Sequence, residues 1–317
     1  MNSQKYSVIQ DGLVYIDHGP ITMTLEARRC GRPFTEGAVA GAEKVMEIFG
    51  EFAVYLDYLR RPVAAIASLP ESAPRAVRKM TESVMMLGCD DFTPLAAVAG
   101  TTADFAVEAM AACGADYALA NNGGDIAWRI SPEQSAPSSV HPDEHLKFSQ
   151  EAYLRTRLPR DFLKVGLISD INNGRATHSL KIRSFSEITG LATSGMGGRS
   201  LTRGIASAVT ALASDSSKAD AAATAIANAC YCDDPAIEQC RAEELDYGTD
   251  ISGLLVTKSV GRLRSGSAEL ALSAGAGRAE ELIGKGMILG AVIFVAGAMQ
   301  VVKTKERGDL FEVAALV

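Results

Sequence analysis

No stretch of this chain alternates Lys or Arg with aromatic residues, and its formal charge is −7. Nucleic-acid binding rests on neutralising phosphates, so no nucleic-acid partner is expected. The first residues, Met1 to Tyr6, are polar and carry no apolar core before a small-residue cleavage site. No signal peptide and no lipoprotein leader is read there, and a cytoplasmic location is expected. The longest apolar run, Met287 to Val302, is short for a membrane span and holds Gly290 and Gly297. It reads as one or two buried strands, with no membrane contact expected. Histidine is scarce, with four in the chain (His18, His141, His145, His178). Their single H-x-x-x-H spacing, His141/His145, lies in a Pro-rich loop and reads as solvated rather than metal-binding. The cysteines, Cys30, Cys89, Cys113, Cys230, Cys232 and Cys240, are scattered. That pattern points to reduced thiols and not to a disulfide frame. Cys230-Tyr231-Cys232 with Cys240 has no neighbouring histidine, which makes it a weak metal signature. There is no G-x-S-x-G, no Walker A ending and no G-x-G-x-x-G between a strand and a helix.

What is present is an ordinary globular composition, 47% apolar and 22% charged over 317 residues. A substantial core is expected and wholesale disorder is excluded. Strands are predicted over Leu13 to Ile16 and Ile21 to Leu25, around the turn Asp17-His18-Gly19-Pro20. Apolar spacing predicts helices over Glu36 to Leu59, Pro74 to Leu87 and Thr101 to Cys113, the last closed by Gly114. Further strands are expected over Leu163 to Ile168 and Ser179 to Phe185, around an Asn172-Asn173-Gly174 turn. Helices are predicted over Ser217 to Ala229, Pro235 to Leu245 and Ala268 to Gly284, with Gly275 and Gly277 as a weak point in the last. A strand is expected over Leu254 to Lys258. Hairpins mixed with helices, without a regular strand–helix period, indicate an α+β fold of mixed or antiparallel sheets packed with helices. The whole chain, 1–317, reads as one large domain with a Ser/Pro/Gln-rich loop excursion at 131–146, a candidate lid.

Three segments carry candidate chemistry. Asn121-Asn122-Gly123-Gly124-Asp125-Ile126 follows a short apolar run. Paired glycines take backbone angles closed to other residues and let the main chain approach a partner. Asp125 just beyond them is placed to meet a ligand hydroxyl, a ring nitrogen or a cation; the alternative is a tight hairpin turn. Before the third helix, Pro94 to Asp104 is built of small residues, which leaves the first helical N–H groups open as an anion site; the alternative is close packing against a sheet. Leu191 to Ser200 (with Thr193, Ser194, Gly195 and Arg199) and then Thr202-Arg203-Gly204 combine Gly-rich backbone, hydroxyls and two arginines. That set suits a phosphate or carboxylate, or else a solvated loop. Finally, Asp220 and Thr224 are four apart on an Ala-rich helix and share a face. They are hard oxygen ligands suited to Mg²⁺, unless Asp220 serves as an internal cap.

These segments, in this order, resemble the ApbE-like superfamily of FMN transferases, and within it an uncharacterised branch without signal sequences. The resemblance covers roughly Ile21 to Val302 and rests on Pro94 to Asp104, Asn122 to Ile126, Ala192 to Gly195 and Ala219 to Thr224. It implies an α+β fold that binds FAD with Mg²⁺ and transfers FMN to a Thr or Ser of a partner flavoprotein. It implies metal ligation by Asp220, Thr224 and a main-chain carbonyl from Ala96 to Ala99, taken as Ala97. It places the Gly123 to Asp125 turn by the ligand, and Asn122, Thr193, Ser194, Gly195, Arg199 and Arg203 are read with it as nucleotide-binding candidates. Two departures stand out. The family's Lys before the glycine of the helix-start segment is Ala99 here, and its His-x-x-Asp-Pro stretch is replaced by Arg203-Gly204-Ile205-Ala206-Ser207, which removes a histidine proton acceptor. The expectation is a protein that binds a flavin nucleotide or another small anion, with a divergent Mg²⁺-dependent FMN transferase or FAD pyrophosphatase as its enzymatic form. The alternatives are an enzyme on a small carboxylated metabolite or heterocycle, or a non-catalytic flavoenzyme accessory protein. Met287 to Val302 and the Ala-rich helices leave room for a homodimer.

Overall fold

The computed structural model describes residues 5–131, 162–170, 174–304 and 309–316. A meander opens the chain: β1 (Tyr6–Gln10), β2 (Leu13–His18) and β3 (Ile21–Arg29), with the short β4 (Arg32–Pro33) folded onto β3. Helices α1 (Thr35–Val54), α2 (Leu56–Leu59) and α3 (Arg75–Met85) follow, and a 3-10 turn over Pro94–Ala97 runs into α4 (Val98–Ala112). Next come β5 (Tyr117–Asn122), β6 (Asp125–Ile130), β7 (Phe162–Leu167), β8 (His178–Arg183), β9 (Gly190–Ser194) and β10 (Ala208–Ala213). The last part holds α5 (Ser216–Ala229), β11 (Ile237–Arg241), α6 (Ala242–Leu245), β12 (Leu255–Val260), α7 (Ser267–Gly284), β13 (Gly290–Val295), β14 (Ala298–Lys303) and β15 (Phe311–Ala315).

The architecture is α+β. A ten-stranded sheet runs in the order β1-β2-β3-β5-β6-β9-β10-β13-β14, with β4 on β3. Each described pairing in it is antiparallel. Its strands show why. In β5, Ala118 and Ala120 face the helices α1 and α4, while Tyr117 and Leu119 face the opposite side, the alternation a two-sided sheet requires. On that opposite side the small sheet β15-β8-β7 packs Leu163, Val165, Leu180, Ile182 and Phe311 against Trp128, Leu191, Val292 and Phe294. Each fully buried Leu or Ile there contributes about 2 kcal/mol. Helices α3, α5 and α7 cover the β9, β10 and β13 end of the sheet. Helix α5 lies among α4, α7, β9 and β10, and its run of alanines is what lets four elements close on it.

Four readings of the sequence change. Residues 237–241, expected within a helix, form strand β11, because Ile237 to Arg241 pair with β12 and that tertiary pairing overrides a weak local preference. Only Ala242–Leu245 remains helical. The segment Leu191 to Ser194, expected as the start of a loop, is the central strand β9, and the glycine-rich loop begins at Gly195. Strand β10 had no counterpart among the predictions, since it is buried on both faces and shows no alternation. Helix α4 starts at Val98, three residues before the predicted start. The run Met287 to Val302 is the β13–β14 hairpin and its approach, as expected of buried strands. One helical stretch, Pro94–Ala112, matches a membrane span in length and composition, and 56% of its window is buried inside the protein. The lid expected at 131–146, the pair His141/His145 and Asn172-Asn173 lie outside the described residues, apart from Ser131.

Candidate functional site

The Asn122 to Asp125 segment is a two-residue hairpin turn between β5 and β6, with Asn122 opposite Asp125. Gly123 and Gly124 have φ of +66° and +113°, so both central residues sit where a side chain would be strained. The tight-turn alternative therefore holds as geometry. The turn is also a platform: Gly124 N–H donates to Asn121 Oδ1 at 3.0 Å, and Asn122 Nδ2 donates to the Ala99 carbonyl at 3.3 Å. Arg199 lies over the turn, with Nη1 3.5 Å from the space a Gly123 side chain would take, and it donates to the Pro20 carbonyl at 3.0 Å. Asp125 is half-buried, and its Oδ1 accepts the Thr193 N–H at 3.2 Å. The Thr193 and Thr210 hydroxyls are 2.8 Å apart.

Asp220 reaches the same place from α5. Its Oδ2 accepts the Gly100 N–H at 2.9 Å, and the Ala99 N–H also donates to it. The small residues at the start of α4 thus receive an anion, and that anion is the chain's own Asp220. Gly100 is required because the helices touch here: a Cβ on it would stand 2.1 Å from the Ser216 carbonyl oxygen. The arrangement is reciprocal. From α4, Asp104 accepts the Ser216 N–H at 2.9 Å and the Ser217 N–H at 3.0 Å, so each helix caps the other's N-terminus with an aspartate. Asp104 also meets Lys79 Nζ at 2.8 Å. Burial alone would depress the Lys79 ammonium, but Asp104 and Asp215 outweigh it and hold its pKa up.

Asp220 has a different neighbour. Burial pushes its pKa well above the usual carboxylate range, and the charge of Asp125 pushes it further. Burial likewise raises Asp125 to about 7, against the Thr193 N–H and the Arg199 charge. The two carboxylates are therefore near enough to interact electrostatically, Asp220 on main-chain groups of the α4 start and Asp125 with Arg199 nearby. Thr224 is half-buried one turn beyond Asp220 on α5. From the small-residue segment, the groups that the described contacts bring to Asp220 and Asn122 are the Ala99 N–H and carbonyl and the Gly100 N–H. Ala97 is buried at the helix boundary.

Arg203 does not join this group through its guanidinium, which pairs with Asp91. Its main chain is held as well: Asn228 Oδ1 accepts its N–H at 2.8 Å, and its carbonyl accepts from Gln239 Nε2 at 3.2 Å and Thr257 Oγ1 at 3.1 Å. The expectation of a two-arginine clamp is thereby reduced to Arg199. Ser194 ends β9 and Gly195 begins the loop after it, and a cleft of about 500 Å³ borders this turn at Met196 and Ser207 and reaches Arg264 and Gly266 just before α7. Sequence reading missed Asp104 and Lys79 as site-building residues; the acid four residues beyond Gly100 was their one visible signal. Among the described residues no group of three or more His, Cys, Asp and Glu clusters. Cys230 is buried and its thiol is pushed up to about 12, which makes it inert.

A family model described as "AbpE bacteria" matches residues 6–301, and the chain belongs to that family. The resemblance to ApbE-like proteins read from the sequence is borne out at this level. A protein of Methanosarcina acetivorans named "UPF0280 protein" is 34% identical over 160 residues, covering 50% of this chain and 50% of that one. The "UPF0280 protein" of Methanothrix thermoacetophila is 34% identical over 174 residues, 54% of this chain and 58% of that one. The chain spans about half the length of these curated relatives. Among solved structures, the apo form of the Pseudomonas stutzeri flavinyl transferase ApbE aligns with 96% of this chain and 100% of its own, at 12% identity and a TM-score of 0.45.

Proposed function

We propose that this chain is a cytoplasmic flavin-nucleotide-binding protein that takes FAD with Mg²⁺ at the Asp125/Asp220 recess. We propose further that its enzymatic form is an FMN transferase or FAD pyrophosphatase. The observation that carries the reading is Asp220 bonded at the α4 start with the charge of Asp125 acting on it. Two like charges in a recess raise each other's pKa, and a divalent cation relieves that cost. The donors are oxygens, as Mg²⁺ demands: Asp220, Asp125, the Thr224 hydroxyl and a carbonyl of the Ala97 to Ala99 stretch. When bound, the metal supplies charge neutralisation on the pyrophosphate oxygens. The chain's own groups do the rest of the binding. Arg199 adds the positive charge that an anionic ligand needs, and the Gly123-Gly124 turn offers backbone at close approach.

Proton transfer is where this chain departs from a transferase. The described histidines stand elsewhere, His18 against Phe49 and His178 against Phe294. Neither is offered as a base, and this favours binding or hydrolysis over transfer to a flavoprotein. A flavoenzyme accessory role is the second reading, and it rests on the Arg203 to Ser207 stretch that stands where the resemblance places a histidine. The test is a thermal-shift titration of metal-stripped protein with FAD, FMN and ADP, each with and without Mg²⁺, followed by chromatography for FMN and AMP. Mg²⁺-dependent stabilisation by FAD that is lost in Asp220→Ala is expected. FMN and AMP release separates the enzyme from the accessory protein. No shift with any flavin would overturn the proposal and leave a small carboxylated metabolite as the ligand to seek.

A further inference from the structure

Between α5 and α7 the chain makes an excursion, β11–α6–β12. Ala242, Val256 and Thr257 are buried, and the Thr257 N–H donates to the Thr202 carbonyl at 2.8 Å. The excursion also carries three large side chains in water: Leu245 at 45% exposure, Leu255 at 51% and Tyr247 at 98%. The tip that displays Tyr247 is tied down on every side. Arg60 Nη2 donates to the carbonyls of Gly248 at 2.7 Å and Thr249 at 3.0 Å. Thr93 donates to Asp250, Gly248 N–H to Asp246 at 2.9 Å, Gly253 N–H to Glu243 at 2.7 Å, and Arg241 to the Gly253 carbonyl. A tip held this firmly has already lost the freedom that docking would otherwise remove. A rigid aromatic is the side chain that dominates protein interfaces.

Charge selects the occupant. Glu243, Glu244 and Asp246 shortly precede Tyr247, and the backbone N–H groups they accept leave their negative charges in place. The Gly253 N–H even holds Glu243 below the usual carboxylate range. Glu238 is paired with Lys258 at 2.8 Å. Arg60 and Arg241 donate to carbonyls and keep their positive charges, and Glu243, Glu244, Asp246 and Asp250 outnumber them, so the tip is net acidic. We propose that this tip is a docking surface for another protein, through a segment that sets Lys or Arg beside an apolar side chain, with Tyr247, Leu245 and Leu255 as the apolar contact. The surface is independent of the flavin reading.

The test uses the full chain and fluorescein-labelled peptides of equal length, one of Lys and Leu, the other of Glu and Leu, read by anisotropy at low and high salt. The Lys/Leu peptide is expected to bind and to weaken with salt. Tyr247→Ala should weaken it about tenfold with the melting temperature unchanged, because Tyr247 packs on nothing that Ala would forfeit. The combined variant Glu243→Gln, Glu244→Gln, Asp246→Asn keeps the acceptors and should flatten the salt dependence. Equal binding of both peptides, or unchanged binding by Tyr247→Ala, would overturn the proposal. So would light scattering that shows a wild-type dimer which Tyr247→Ala dissolves, since the occupant would then be a second copy of the chain.

Discussion

Asp104 and Asp220 do the same structural job at the two ends of one helix crossing, and their surroundings differ. Each lies on one helix and accepts main-chain N–H groups at the start of the other, Asp104 from Ser216 and Ser217, Asp220 from Ala99 and Gly100. The pKa of Asp104 is raised by burial too, but it has Lys79 beside it to oppose that shift. Asp220 has Asp125, whose charge adds to burial in raising its pKa. A cap needs one carboxylate, and the second at Asp125 is a cost to the fold. Buried like charges kept at a cost are where functional sites are looked for. The difference separates a carboxylate explained by architecture from a pair for which a ligand is proposed.

That comparison can be broken at several points. The largest effect is expected where both caps depend on the crossing itself. Gly100→Val would drive a side chain into the Ser216 carbonyl and should cost about 3 kcal/mol or more, read as a fall in the urea midpoint. Asp104→Ala comes next. It strands the Ser216 and Ser217 N–H groups and the partly buried Lys79, at about 3 kcal/mol. Asp220→Asn keeps an oxygen for Gly100 and relieves the repulsion, so it should cost under about 1 kcal/mol in metal-free buffer. Equal losses for these two aspartates would erase the distinction drawn between them.

The pH dependence is the next in size. Asp125 holds its proton up to about 7 in the folded chain, whereas an unfolded carboxyl releases it near pH ~4. Between these values the folded state binds more protons, so this group's contribution falls as pH rises and stays low above pH 7. Denaturation of metal-free protein across pH 4 to 8 should show that decline, and Asp125→Asn should remove it. The smallest effect is Asp125→Asn alone at pH 8, expected to raise the melting temperature by about 2 °C without metal. A fall would mean that the carboxylate is serving the fold.

How much of this was legible in the sequence follows from locality. The β5–β6 turn announces itself through Asn122-Gly123-Gly124-Asp125, and α5 through its alanines. The start of α4 showed as small residues, and an anion does sit there, but that the anion is Asp220 depends on a contact 120 residues away. The same holds for Arg203, whose pairing with Asp91 no local pattern contains. Strand β10, AVTALA, is buried at all positions and so lacks the alternation that reveals a strand. Residues 237–241 read as helix because their pairing with β12 lies outside any short window.

The central claim is that the Asp125/Asp220 recess, and not the Asp104 end, holds a divalent cation. Electron paramagnetic resonance of free Mn²⁺, titrated into metal-stripped protein at pH 8, tests it directly. One Mn²⁺ should disappear from the free signal per chain in the wild type, with binding lost in Asp125→Asn and Asp220→Asn. Undiminished free Mn²⁺ in the wild type, or unchanged binding in both variants, would contradict the account.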